Sequence, residues 1–396
     1  MIIIQISFLI LQTVLAFTKP KYFLYLYFLF TSSFLGFFPK DILIEERDIG
    51  LYYQSILLII PYLLNYQKNS LPKYIRISLD LLIIVYIYGV LQPLFVGNSS
   101  ILQSITESKN FSTLFLTHYL FSNRKHFSTE YINKLIYFFG YYFTFILLLF
   151  LVDIIPPFYV KNEDRDIEFY YPTILSLFVI IKAGKAKSLK QKVEAFFLIL
   201  IWAVGMSKEG HAAIMLTTTM SSLIILFRIP IIVFVEKFSY LLLGIVLALT
   251  LLYILPTEKI IDELTNDPSI TSRDTYNKLR MEFIKERPLM GYGFMHKTAM
   301  EVDSSTIYTE SLSFIDTGYI DLLGKFGYIG TVFYLSILIF LFFRKNIDAR
   351  SVNMRVYFLQ LCPVNITWSV FSFSVGLLAL GLAIYLYNMP SKKIYT

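Results

Sequence analysis

The sequence predicts an all-α, polytopic transmembrane bundle of about 12–14 spans with one large external loop. Three observations predict it. Of 396 residues, 56% are hydrophobic and only 16% charged, whereas a soluble domain carries about 25% charged residues to wet its surface. The apolar residues fall in blocks approaching the roughly 20 residues that carry a helix across a hydrocarbon layer. Those blocks, such as LDLLIIVYIYGVLQPLFV and SYLLLGIVLALTLLYILP, are apolar all round. Barrel strands would alternate instead.

The expected spans lie near residues 2–18, 22–38, 50–66, 75–96, 104–121, 134–152, 168–182, 194–208, 211–227, 237–256, 327–343, 354–370 and 372–388. The fifth is the weakest, because it contains Glu107, Lys109 and Asn110, and a re-entrant or interfacial segment fits it as well. The first block has no basic stretch before it and reads as a span, not as a cleaved signal. Three regions follow: a bundle of about ten spans over 1–256, a loop over 257–326, and further spans with a short tail over 327–396.

Loop charge orients the chain. Lys19 and Lys21, QKNSLPKYIR, NRKHFSTEYINK, KAGKAKSLKQK, RKNIDARSVNMR and the SKK tail all fall on one side of an alternating thirteen-span map. Basic loops belong to the cytoplasm. DILIEERD, NEDRDIE and the 257–326 loop fall on the other side. The net charge of +7 therefore sits in short loops and does not point to nucleic acid. The one cysteine, Cys362, excludes an intramolecular disulfide and a Cys-clustered metal site; in its apolar stretch it reads as a small buried hydrophobe. The aromatic content of 17% fits the interfacial preference of Tyr and an AT-rich codon usage.

Chemistry concentrates in the external loop. Thr271 and Asp274 make a helix start, and Pro288 ends that segment. Arg273, Arg280 and Arg287 recur every seven residues, almost two helical turns, so they share one stripe. Tyr276, Leu279 and Phe283 are placed to pack the same helix onto the bundle. A planar, permanently charged guanidinium fork suits a diphosphate, and a solvated basic helix face fits the stripe equally. Gly291-Tyr292-Gly293 permits a sharp turn or a close backbone approach. Asp316 lies just before the next helix, either as a general base for a hydroxyl or as a helix cap. Asp321 and Lys325 are four apart and should pair. Lys208, Glu209 and His211 sit at the turn between the eighth and ninth spans, as ionisable candidates or as a plain loop. With His296 and His211 as the external histidines, no three-His metal site can form.

A many-span chain with R…R…ERPLMGYGF in its large loop and FIDTGYIDLLGKFGYIG entering the next helix resembles the O-antigen polymerase and O-antigen ligase superfamily of Wzy-type enzymes. The resemblance covers about residues 200–345. Arg280 and Gly291, with ten residues between them, are also similar to a polymerase-loop pattern. The resemblance implies a GT-C-like fold in the bacterial cytoplasmic membrane and a glycosyltransferase that needs no metal or other cofactor. The active site would face the periplasm or the cell exterior. It implies undecaprenyl-diphosphate-linked oligosaccharide as substrate, membrane lipid as surroundings and a chain-length regulator protein as partner. Diphosphate binding is then expected of Arg273, Arg280, Arg287, Lys208, Gly291 and Gly293, and catalysis of Asp316 and Arg280. Lys208 stands where many members have Arg. Ligases carry His-Asn near the position of Asp316-Thr317, so the missing His favours a polymerase and leaves His296 or His211 as a substitute base. Two rivals remain: a ligase-type transferase to lipid A core or protein, and a lipid-oligosaccharide flippase, which would show two related halves.

Overall fold

The structure, a computed structural model, describes residues 2–31, 43–44, 47–66, 71–96, 100–152, 172–208, 212–227, 281, 284–295, 318–342, 349–367, 370–371 and 374–389. These residues are helical apart from loops, one short 3-10 turn and a two-residue hairpin pairing Leu43 with Asp48 and Ile44 with Arg47. The helices are α1 (Ile2–Thr18), α2 (Pro20–Thr31), α3 (Ile49–Leu64), α4 (Lys73–Val96), α5 (Ile101–Glu107), α6 (Phe115–Ser122), α7 (Thr129–Leu151), α8 (Pro172–Lys185), α9 (Leu189–Lys208), α10 (Ala212–Leu226), α11 (Gly318–Phe342), α12 (Ala349–Thr367) and α13 (Ser374–Asn388). The expected tenth span, 237–256, lies outside the described residues.

Local chemistry sets several boundaries. Pro20 and Pro172 open α2 and α8, where a missing N–H costs nothing. Ser128 starts α7 by accepting from Tyr131 N at 3.1 Å. Ser188 and Gln191 start α9: Gln191 N donates to Ser188 Oγ at 3.3 Å, and Ser188 N to Gln191 Oε1 at 3.2 Å, a reciprocal cap. Ser100 and Gln103 do the same for α5.

The expected fifth span is interrupted. After α5 the chain makes a 3-10 turn over Phe111–Leu114 and resumes as α6. Helix hydrogen bonds lost at such a break must be replaced inside the protein. Here Ser108, Ser112, Thr113 and His118 are buried. Ser108 Oγ donates to Ile105 O at 2.7 Å and contacts Tyr86 OH at 2.7 Å. His118 Nε2 lies 2.8 Å from Leu79 O of α4. Helix α11 also begins nine residues ahead of the expected boundary at 327, and Gly327 breaks its helical backbone with φ +61°.

Helix α8 is buried from Thr173 to Ile181 and sits among α7, α9, α10, α12 and α13. A helix apolar on every side belongs at the centre. The peripheral helices face outward with apolar stripes at helical spacing: Ile77, Ile84, Ile87, Leu91 and Phe95 on α4, and Phe138, Tyr141, Phe145 and Leu148 on α7. Phe95 is 81% exposed. Helices α4 and α7, of 24 and 23 residues, are long and apolar enough to cross a membrane. The apolar helices Ile6–Thr18, Tyr52–Leu64, Ala212–Leu226 and Gly376–Asn388 are shorter.

Side-chain contacts bring the basic connections to one end of the bundle. Tyr131 OH donates to Lys21 O at 2.5 Å, Ser122 Oγ to Pro61 O at 2.8 Å and Tyr385 OH to Phe127 O at 2.7 Å. Helix α8 ends and α9 begins against the start of α7, with Lys182 over the Tyr137 ring.

Candidate functional site

At the opposite end, the segment ERPLMGYGF is anchored to two helices by main-chain contacts. Met281 and Ile284–Glu286 are helical, and the chain turns at Pro288, as the ring's clash with a continuing helix requires. Ile284, only 3% exposed, packs on Ile320 and Leu323 of α11, with Met281 and Tyr328 alongside. Tyr292 N donates to Gly324 O at 2.8 Å, and Gly293 N to Lys325 O at 2.7 Å. In return Tyr328 N donates to Pro288 O at 2.7 Å, and Ile329 N to Leu289 O at 3.1 Å. Phe294 N donates to Gly89 O of α4 at 2.7 Å.

Three glycines make this contact sterically feasible. Gly291, Gly293 and Gly327 have φ of +64°, +73° and +61°, the left-handed region that side chains disfavour. A Cβ on Gly291 would lie 2.5 Å from Gly327 N. On Gly327 it would lie 2.5 Å from Met290 N, and on Gly293 2.6 Å from Pro93 Cδ. The break in α11 at Gly327 frees the two amides that reach back to Pro288 and Leu289.

Aromatic packing completes the anchor. Phe294, 1% exposed, has its ring centroid 5.5 Å from Phe111, 5.6 Å from Phe326 and 5.8 Å from Tyr86. Phe111 sits in the 3-10 turn, so the interruption of the fifth span is what fills the socket beneath Phe294. Tyr88 OH donates to Met290 O, and Gln92 Nε2 to Gly291 O at 3.3 Å. Asp321, 4% exposed, pairs with Lys325 at 2.6 Å, as the i,i+4 spacing requires.

Gly291 and Gly293, where diphosphate binding is expected, use their backbone amides in the anchor. Their amides already donate, Gly291 N to Arg287 O at 3.0 Å and Gly293 N to Lys325 O, and both residues are buried. An anion would have to break the anchor to reach them. Arg287 is different. It is exposed, with its guanidinium carbon 5.6 Å over the Tyr292 ring. Tyr292 OH donates to Glu286 Oε2 at 3.0 Å. Burial, reinforced by that carboxylate, pushes the Tyr292 phenol up to about 12. Beside Arg287, Leu289 and Met290 expose 58% and 46% of their surface, so a cation adjoins an outward apolar rim.

Lys208 ends α9 at this same end of the bundle. Its Nζ donates to Phe150 O at 3.1 Å and lies 4.8 Å over the Phe150 ring. This satisfies a carbonyl at the C-terminus of α7. The side chain is exposed and lines an open cavity with Ala203, Val204, Ser207 and Met215. Arg273, Arg280, His296, Asp316, Glu209 and His211 lie outside the described residues, as do Tyr276, Leu279 and Phe283.

Sequence reasoning did not find Tyr88, Gln92 or the Glu286–Tyr292 pair. The available signal was the pairing of Gly-x-Gly with Gly-Lys-Phe-Gly, two glycine pairs that allow close backbone approach. Compared with known proteins, the chain matches no family model and no curated protein.

Proposed function

We propose that this chain is a membrane-embedded glycosyltransferase that polymerises lipid-diphosphate-linked oligosaccharide units into a bacterial surface polysaccharide. The observation that carries the proposal is the placement of Arg287. It is held exposed by a main-chain anchor, next to an apolar rim, at the bundle end opposite the basic connections. A polyprenyl diphosphate needs these features together: an apolar face for its tail and a fixed cation for its head. Outward apolar stripes on α4 and α7 favour a bundle surrounded by lipid. By the basic-loop rule, the Lys182–Lys192 end faces the cytoplasm and Arg287 the outside.

In the mechanism, an acceptor hydroxyl attacks the anomeric carbon of the donor sugar. The C–O bond to the diphosphate breaks, and undecaprenyl diphosphate leaves. Arg287, with Arg273 and Arg280 spaced fourteen and seven residues before it in the sequence, neutralises the charge developing on the leaving group. Asp316, on the approach to α11, takes the hydroxyl proton. Lys208 adds positive charge at the same end. The partners are the lipid-linked oligosaccharide itself and a chain-length regulator.

The test is replacement of Arg280 and, separately, Arg287 by Ala, read by gel analysis of surface polysaccharide. The expected outcome is single-repeat lipid-linked units on the outer face and no long chains. A normal chain-length distribution in both variants would overturn the proposed role of the stripe. Substrate retained on the cytoplasmic side would point to a flippase instead.

A further inference from the structure

A second charged cavity, of about 520 Å³, opens at the other end of the bundle, where α7 begins, α8 ends and α9 begins. Its volume falls in the range of about 300–1,000 Å³ typical of ligand pockets. Lys182, Lys185 and Lys187 line it, with Glu194 as the one acidic lining residue. Lys182 Nζ lies 2.6 Å from Glu194 Oε1, so that carboxylate is neutralised within the cavity, and the lining side chains number three ammonium groups to one carboxylate. The Tyr137 ring holds two of the ammonium groups, Lys182 at 5.3 Å and Lys185 at 5.0 Å, a cation–π arrangement. Lys185 and Lys187 are exposed at the mouth. Asn133, Gln191 and Asn353 add side-chain amides. The inner end is closed by Ile181, Met354 and Leu386, each at most 4% exposed.

Lysines at the rim, amides within and apolar side chains behind match a phosphate group joined to a less polar body. We infer that this cavity is a binding site for a phosphate oxyanion, distinct from the transferase site, and that its natural source is the headgroup of an anionic lipid. A basic pocket between helices at a membrane surface attracts such headgroups. The lipid source rests on the bundle lying in a membrane, as proposed above; the phosphate chemistry does not.

The experiment uses the purified full chain in detergent and needs no polysaccharide substrate, so its failure leaves the transferase proposal standing. Thermal unfolding midpoints are measured against added phosphatidylglycerol, phosphatidylcholine and inorganic phosphate, each at constant ionic strength. Phosphatidylglycerol should raise the midpoint and phosphatidylcholine should not. In K185E/K187E the half-effective lipid concentration should rise about tenfold or more. K73E, an equal charge change per site at an exposed residue of α4 outside the lining, should respond as the unmodified chain does. The neutral K185Q/K187Q pair supplies a milder variant should charge reversal impair folding. If inorganic phosphate reproduces the stabilisation and competes with the lipid, the oxyanion site stands with a soluble ligand as its source. An unchanged phosphatidylglycerol response in both double variants, or no response to either anion in the unmodified chain, would overturn the inference.

Discussion

Gly293→Ala is the sharpest perturbation of the anchor that carries Arg287. The new methyl would sit at φ +73°, where a side chain costs about 1–2 kcal/mol. It would also press on Gly89 O and approach Pro93 Cδ to 2.6 Å. Relief requires the segment to withdraw from α4, which breaks the Phe294 N to Gly89 O bond at about 1 kcal/mol net. Withdrawal also loosens the buried Phe294 ring, whose full burial is worth about 2 kcal/mol. The local cost is about 3 kcal/mol, since the ring is only partly released. Every 1.4 kcal/mol is tenfold in an equilibrium, so exchange of the Tyr292, Gly293 and Phe294 amides should speed up by about a hundredfold. Hydrogen exchange read by mass spectrometry over peptides covering 286–295 checks it. Gly324→Ala is the control: a Cβ there meets no atom within 4 Å, and protection should hold or rise. Unchanged protection in Gly293→Ala, or equal loss in both variants, would refute the steric account.

Two further outcomes are expected. Lys325→Ala leaves the Asp321 carboxylate, 4% exposed, without the ammonium now 2.6 Å away; stability should fall by about 2 kcal/mol, discounted because Lys325 is partly solvated, and adding Asp321→Asn should recover most of it in denaturant titrations. Tyr292 gives a pH signature. Its folded value is raised, so the stabilisation it contributes is complete below the ordinary tyrosine range near 10 and is lost as pH climbs toward about 12. Proteolysis at the 286–295 segment should therefore accelerate above pH 10 in the unmodified chain, and this step should be absent in Tyr292→Phe.

Most helices were legible because apolar blocks and caps act locally. Ser128 before α7, Pro172 at α8 and Ser188 with Gln191 at α9 set the starts that hydropathy alone put near 134, 168 and 194. The break in the fifth span was half-legible: Glu107, Lys109 and Asn110 marked it as weak. The reason for its shape is Phe111 meeting Phe294, a contact 183 positions away in sequence that no local pattern carries. The turn at Pro288 and the Asp321–Lys325 pair followed from rules of spacing. The Gly-Tyr-Gly motif was legible as a close backbone approach but not in its partner, because Gly89 and Gly327 become its neighbours only through the fold. The lysine cavity was visible as a basic loop; its depth comes from Asn353 and Leu386, which lie far along the chain.

The backbone anchor has an evolutionary corollary. Because peptide groups do the gripping, the side chains of Leu289 and Met290 are largely free of positional duty. Under the proposed transferase role, residues bordering Arg287 can then be exchanged to suit a different sugar or lipid while the backbone that carries the cation stays in place. The glycines, Ile284 and the ring of Phe294 carry the packing, so under that role recognition can diversify around a charge on a fixed backbone.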